Sequence, residues 1–195
     1  MGLKVTVKAS GITNLSDARY CAGMGVHMLG FGVVAGREGF IKPSVFQEMR
    51  GWFSGPQVVA EVYGLTSRTV LEQVILNYRP DLLEGGLEEL PLLIPSDLPY
   101  LLYAGKTGPN EIRAILTGAR PPLYVVIDTV RDSEYVQHVT ELYPVLMKLP
   151  DEEPEPYLQL PVHGFVIQGS AEERPGFKSY EHLASVLEKL EEEGE

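Results

Sequence analysis

At 195 residues, with 44% apolar and 22% charged side chains, the chain can bury one sizeable core and lacks the bias of a disordered or fibrous protein. Its formal net charge of −11, from 16 basic and 27 acidic side chains, argues against a nucleic-acid or anionic-membrane binder, because that affinity rests on clustered Lys and Arg. The lone cysteine, Cys21, excludes an internal disulfide and a thiolate zinc site.

The first strand is predicted over Lys4–Ala9. The start also fits a myristoylation pattern of Gly2 with Thr6, but its residues alternate as a strand requires. A helix follows, with Cys21 packed between Ala18 and Ala22, and then a second strand over His27–Gly32. Phe46, Met49 and Phe53 recur at helical spacing, and Trp52 and Phe53 are both assigned to the core. The third strand covers Val58–Tyr63, followed by a helix with Val70, Leu71, Val74 and Ile75 on its buried face.

The fourth strand is Asp81–Glu84, and the segment Leu87–Leu98 behind it carries Pro91 and Pro95, too many prolines for a regular helix. Next come a fifth strand over Tyr100–Ala104, a helix marked by Ile112, Ile115 and Leu116, and a sixth strand over Leu123–Thr129. Val136, Val139 and Tyr143 mark the following helix, and Val145–Leu149 the seventh strand. The acidic run Asp151–Glu155 reads as a solvated loop, and Glu155–Leu160 has room for roughly one and a half helical turns. The eighth strand is Gly164–Gln168, and the last helix presents Leu183, Val186, Leu187 and Leu190 behind a Ser179 cap. Residues 191–195 form an acidic C-terminal tail.

Eight βα units in so few residues suit a small closed α/β barrel, the (β/α)8 TIM barrel, better than a doubly wound sheet. We expect one domain over residues 1–195, with the helices of units four and seven eroded. No segment approaches the ~20 continuous apolar residues of a membrane span, and no apolar leader follows the start, so a cytoplasmic protein is expected.

In a closed barrel the site lies at the carboxyl ends of the strands, and polar residues late in the strand runs mark it. They are Lys8 and Ser10, Glu61, Glu84, Asp128, Lys148 and Gln168, with Lys106 just after the fifth strand. Lys8 and Ser10 share parity and point to one side of their strand. Carboxylates and lysines crowded at such a mouth shift each other's pKa values, as acid/base chemistry requires. The same residues also fit structural pairing inside a small barrel, and the sequence leaves both readings open. The four histidines are scattered without metal-ligand spacing, so no metal and no cofactor is expected.

The run Val7-Lys8-Ala9-Ser10-Gly11-Ile12-Thr13 through Asp17-Ala18 resembles the first βα loop of phosphoribosylanthranilate isomerases, Lys-x-Cys-Gly-x-Thr followed by an Asp-Ala helix start. Ala22-Gly23-Met24-Gly25-Val26, Leu29-Gly30-Phe31 and the closing Glu172-Glu173-Arg174-Pro175-Gly176-Phe177-Lys178 are similar to further motifs of that family. The resemblance implies a (β/α)8 barrel and an Amadori rearrangement, in which a carboxylic acid protonates the ribose ring oxygen and a cysteine base removes the C2′ proton. Asp128 matches the position of the acid.

The sequence departs from the family at most other working positions. Ser10 stands where the cysteine base is expected, and a hydroxyl is far less acidic than a thiol of pKa ~8.5. The family's carboxylate-holding Arg has become Gly39, which leaves Arg37 or Lys42 to reach that group. The family's Gln-Leu-His-Gly on the fourth strand reads Glu84-Gly85-Gly86-Leu87. The family's phosphate cradle, a Gly-Gly pair after strand seven and an Asp-Val-Ser-Ser-Gly run at strand eight, reads here Met147-Lys148-Leu149 and Val166-Ile167-Gln168-Gly169-Ser170, so one part is lost and the other altered, with Lys148 to offer charge, Gly169 an amide and Ser170 a hydroxyl.

Three functions are thus expected to compete. One is a barrel weak or inactive in the family's rearrangement that binds another small anionic or carbonyl ligand, phosphorylated ones included. Another is an active isomerase with Asp128 as acid and Ser10, Glu61 or Glu84 as base. The third is a non-catalytic, partner-binding barrel. A monomer or homodimer is expected in each case.

Overall fold

The computed structural model describes residues 3–150, 154–169 and 181–190. Eight parallel strands close into a barrel in chain order. They are β1 (Thr6–Ser10), β2 (Met28–Gly32), β3 (Gln57–Glu61), β4 (Leu82–Gly85), β5 (Tyr100–Gly105), β6 (Tyr124–Ile127), β7 (Val145–Lys148) and β8 (Gly164–Gln168). The seam is sealed over five residues, from Thr6 against Gly164 to Ser10 against Gln168. The outer ring is α1 (Leu15–Gly23), α2 (Pro43–Arg50), α3 (Arg68–Tyr78), α4 (Leu90–Leu93), α5 (Pro109–Leu116), α6 (Ser133–Leu142) and α7 (Glu181–Leu190).

The period of two along each strand divides the core. Leu29, Phe31, Val58, Ala60, Leu83, Val125, Val145 and Phe165 face the helices, whereas Met28, Val59, Leu82, Leu101, Val126, Leu146 and Val166 fill the barrel interior as one apolar layer. Local chemistry fixes the helix starts. Asn14 Oδ1 accepts from the Asp17 amide at 2.9 Å, Asp132 Oδ1 from Glu134 and Tyr135, and Ser67 from Val70, while Pro43 and Pro109 open α2 and α5.

Units four and seven are reduced, as the prolines require. After β4 the chain makes one 3-10 turn (Leu87–Glu89) and the four residues of α4, and among the described residues between β7 and β8 the one helical element is the 3-10 turn Glu155–Tyr157. Arg120 serves the carbonyls this leaves over. One guanidinium nitrogen donates to Leu93 O at 3.1 Å and Leu98 O at 2.6 Å, and the group lies 5.2 Å from the Tyr100 ring centre.

Some sequence expectations need correction. Trp52 is not core but 67% exposed, because α2 ends at Arg50 and Gly51 turns the chain, so that only Phe53 points inward beneath the Arg50 guanidinium. Val70 and Ile115 are likewise exposed, since the phase of α3 is set by Leu71, Val74 and Tyr78 and that of α5 by Ile112 and Leu116. His27 and His163 lie at the surface, where each Nδ1 accepts a strand amide, from Val7 and Val145. The Ser179 cap, the 172–178 motif and the acidic tail lie outside the described residues, as does most of the acidic run at 151–155. Among the described residues no helix is long and apolar enough to cross a membrane.

Candidate functional site

The parity of β1 sends Lys8 and Ser10 into the barrel, and the closed ring brings β3 and β4 around to meet them. Lys8 is fully buried. Its Nζ donates to Glu61 Oε1 at 2.7 Å and to Ser10 Oγ at 2.5 Å, and lies 2.7 Å from Glu84 Oε2 in an ion pair without hydrogen-bond geometry. Gly30 on β2 makes room for this contact. A Cβ there would overlap Glu61 Oε1 and stand 2.9 Å from Lys8 Nζ. Burial by itself drives the Lys8 pKa down, but the charges of Glu61 and Glu84 together outweigh it and the net shift is upward, so the group stays an ammonium.

Tyr63, just past β3, donates its hydroxyl to Glu84 Oε1. Its phenol is held protonated, first by burial and then by the Glu84 charge. The ring meets Tyr103 of β5 edge to face, with centres 6.0 Å apart. Tyr103 in turn donates to Asp128 Oδ1 at 2.8 Å, and burial, followed by that bond and the Asp128 charge, pushes its phenol up to about 12. Lys148, the last residue of β7, holds its Nζ 3.7 Å from the Tyr103 ring centre and 3.8 Å from Asp128 Oδ1. A polar chain therefore crosses the mouth from Ser10 to Lys148, with two tyrosines at its middle. Asp128 is paired with Lys148, while Lys106 is exposed nearby.

Beside this chain opens a cleft of about 380 Å³, walled by Arg37, Tyr63, Gly64, Gly86, Tyr103 and Gly105. Arg37 folds over Gly64, whose φ of +80° and lack of a side chain admit the guanidinium, since a Cβ would lie 2.6 Å from its carbon. The buried Glu89 joins two walls of the cleft. Its Oε1 accepts from the Gly64 amide at 2.7 Å and its Oε2 from the Gly86 amide at 2.8 Å.

The sequence-derived residues thus separate. Lys8, Ser10, Glu61 and Glu84 form one cluster and Asp128 with Lys148 another, while Arg37 stands over the cleft. Gln168 is exposed against Gly11, and the Gly169 amide already donates to Ser10 O at 2.9 Å, which commits it to the barrel seam. Ser170 lies outside the described residues. Tyr63, Tyr103 and Glu89 were not singled out by sequence. Tyr103 shares parity with the inward Leu101, and that was the available signal. Among the described residues no group of three or more His, Cys, Asp or Glu is placed to hold a metal ion.

No family model matches the chain, and no curated protein matches it. Solved structures do. A phosphoribosylanthranilate isomerase in complex with reduced 1-(o-carboxyphenylamino)-1-deoxyribulose 5-phosphate superposes with a TM-score of 0.76 at 17% identity, covering 94% of this chain and 97% of that one. The phosphoribosylanthranilate isomerase from Thermus thermophilus gives 0.73 at 19% identity, with coverage of 95% and 98%. The N-(5′-phosphoribosyl)anthranilate isomerase from Pyrococcus furiosus gives 0.73 at 14%, with coverage of 95% and 98%. At these identities the likeness is one of fold, and it extends over nearly the whole of each chain.

Proposed function

We propose that this chain is a diverged relative of the phosphoribosylanthranilate isomerases, weak or inactive in their Amadori rearrangement, whose mouth takes another small anionic or carbonyl ligand. The observation that carries this reading is the 2.5 Å contact from the Lys8 ammonium to Ser10 Oγ. A base that removes a carbon-bound proton must present a basic lone pair to it. Ser10 offers a hydroxyl oxygen that already accepts from a cation, and Glu61 and Glu84 are engaged by Lys8 and Tyr63. Asp128 stands where the acid is expected, but an acid without a base leaves the C2′ proton in place.

The cleft supports the ligand side of the proposal. A guanidinium fork above two tyrosines and two glycine turns fits a planar carboxylate, and about 380 Å³ lies within the range of small-molecule sites. Two measurements test the proposal on the purified protein. With phosphoribosylanthranilate, loss of substrate fluorescence should stay near the uncatalysed rate; turnover of about 1 s⁻¹ or more rejects the reading. With reduced 1-(o-carboxyphenylamino)-1-deoxyribulose 5-phosphate or anthranilate as a carboxylate probe, calorimetry should show binding that Arg37→Ala weakens.

One observation favours the rival reading of an active isomerase. Asp128 takes a hydrogen bond from Tyr103 on one oxygen and keeps the other toward Gly105, as a working acid would. Under that reading Asp128→Asn abolishes turnover, whereas under ours there is no turnover to abolish.

A further inference from the structure

Two lysines reach the barrel mouth, and they are held differently. Lys8 is fully buried, donates to Ser10 and Glu61 and is ion-paired with Glu84 as well. Lys148 leaves 39% of its side chain open, and its contacts are longer, at 3.7 Å to the Tyr103 ring centre and 3.8 Å to Asp128 Oδ1. The shortest bond of Asp128 is the 2.8 Å one from Tyr103, and 31% of its side chain is open. An amine, a carboxylate and a phenol therefore meet at the carboxyl ends of β5, β6 and β7, which are neighbours in the ring. The Asp128 charge and the Tyr103 face both favour the ammonium, so what suits this set to condensation with a carbonyl group is an accessible nitrogen, a carboxylate beside it to carry protons and a ring face to hold the cationic product.

We infer that Lys148 condenses with a small aldehyde or ketone, so that the mouth holds its ligand as an imine. The inference rests on the reading of the mouth as a small-ligand site and names the reacting group of that ligand. Asp128 carries each proton. Its carboxylate takes one from the Lys148 ammonium, and the freed amine attacks the carbonyl carbon to form the C–N bond. The π electrons move to oxygen, which takes the proton back from Asp128. The nitrogen, now cationic, returns a proton to Asp128, and its lone pair then expels the hydroxyl, which leaves as water with that proton. The sum is ammonium plus carbonyl giving iminium plus water, with the charge unchanged and no oxidant or reductant required. Tyr103 is a positioning residue. Its hydroxyl orients Asp128, and its ring face, which holds the ammonium, holds the iminium equally well.

The test is reductive trapping on the full chain. Protein is incubated with glycolaldehyde, and separately with pyruvate, together with sodium cyanoborohydride, and the adduct is mapped by peptide mass spectrometry. We expect a single adduct on Lys148 under conditions that leave Lys42 and Lys106 unlabelled. Lys148→Arg should remove it, and Asp128→Asn should slow it by about 100-fold, the usual scale of lost proton transfer. Equal labelling of Lys42, Lys106 and Lys148, or no labelling of Lys148 by either probe, overturns the inference, provided circular dichroism shows each variant folded. Failure here is separable from failure of the ligand reading. Carboxylate binding that persists in Lys148→Arg while no adduct forms in the parent sinks only the imine; loss of both sinks the site.

Discussion

Gly30 on β2 and Glu61 on β3 share a space that holds only one side chain, since a β-carbon on the glycine would overlap Oε1 of the carboxylate. The ion cluster at the mouth therefore depends on an atom that is missing. Gly30→Ala must displace the carboxylate or part the strands, and overpacking of this kind costs about 1–3 kcal/mol. Urea denaturation should show that loss. An unchanged midpoint would place the carboxylate elsewhere.

Lys8→Met leaves Glu61 and Glu84 crowded without a counter-charge. Removal of one partner from a buried pair costs about 3–5 kcal/mol at neutral pH. Paired urea unfolding curves of variant and parent at pH 7 check this, and coincident midpoints would contradict it.

The alkaline limb follows from groups whose folded pKa lies above the unfolded one. Lys8 is raised from 10.5, and Tyr63 and Tyr103 from 10.0, the last to about 12. In each case the folded form keeps a proton that the unfolded chain releases, so their contribution is complete below pH 10 and drains away as pH climbs toward 12 and beyond. Stability should fall steeply over that window. Tyrosine-labelled NMR should find the Tyr103 midpoint near 12, and Asp128→Asn should lower it. A midpoint that stays put in the variant would remove Asp128 as a cause.

Ser10→Cys places a thiol beside the Lys8 ammonium, a setting that favours the thiolate. Alkylation with iodoacetamide at pH 7 should then modify the S10C variant at the substituted position, with Cys21 silent. Cys21 is buried, and burial, followed by the nearby Asp17, pushes its thiol up to about 12. Comparable labelling of both positions, or no labelling at all, counts against the Lys8–Ser10 contact.

All eight strands were legible to within one or two residues, because their β-branched runs sit between turn formers, and Pro91 and Pro95 announced the loss of a full helix in unit four. The inward parity of Lys8 and Ser10 could also be read directly. Their partners could not, since Glu61 is 53 residues away in sequence and only barrel closure brings it near. Tyr103 escaped notice because an aromatic residue in an apolar strand reads as core until its hydroxyl is seen to meet Asp128. Trp52 failed in the opposite sense. It sits two residues beyond a helix end that periodicity cannot locate, and the turn at Gly51 rotates it to the surface.

One side chain spans the gap between the Gly64 turn and the Gly86 turn, and each carboxylate oxygen of Glu89 grips one bank. The separation of the banks is thus gauged by the width of a carboxylate, which makes the opening a slot of fixed bore. Under the proposed ligand reading, a flat guest would enter without disturbing Glu89 and a bulky one would have to prise it from an amide, which would make thickness a criterion before any functional group of the guest is recognised.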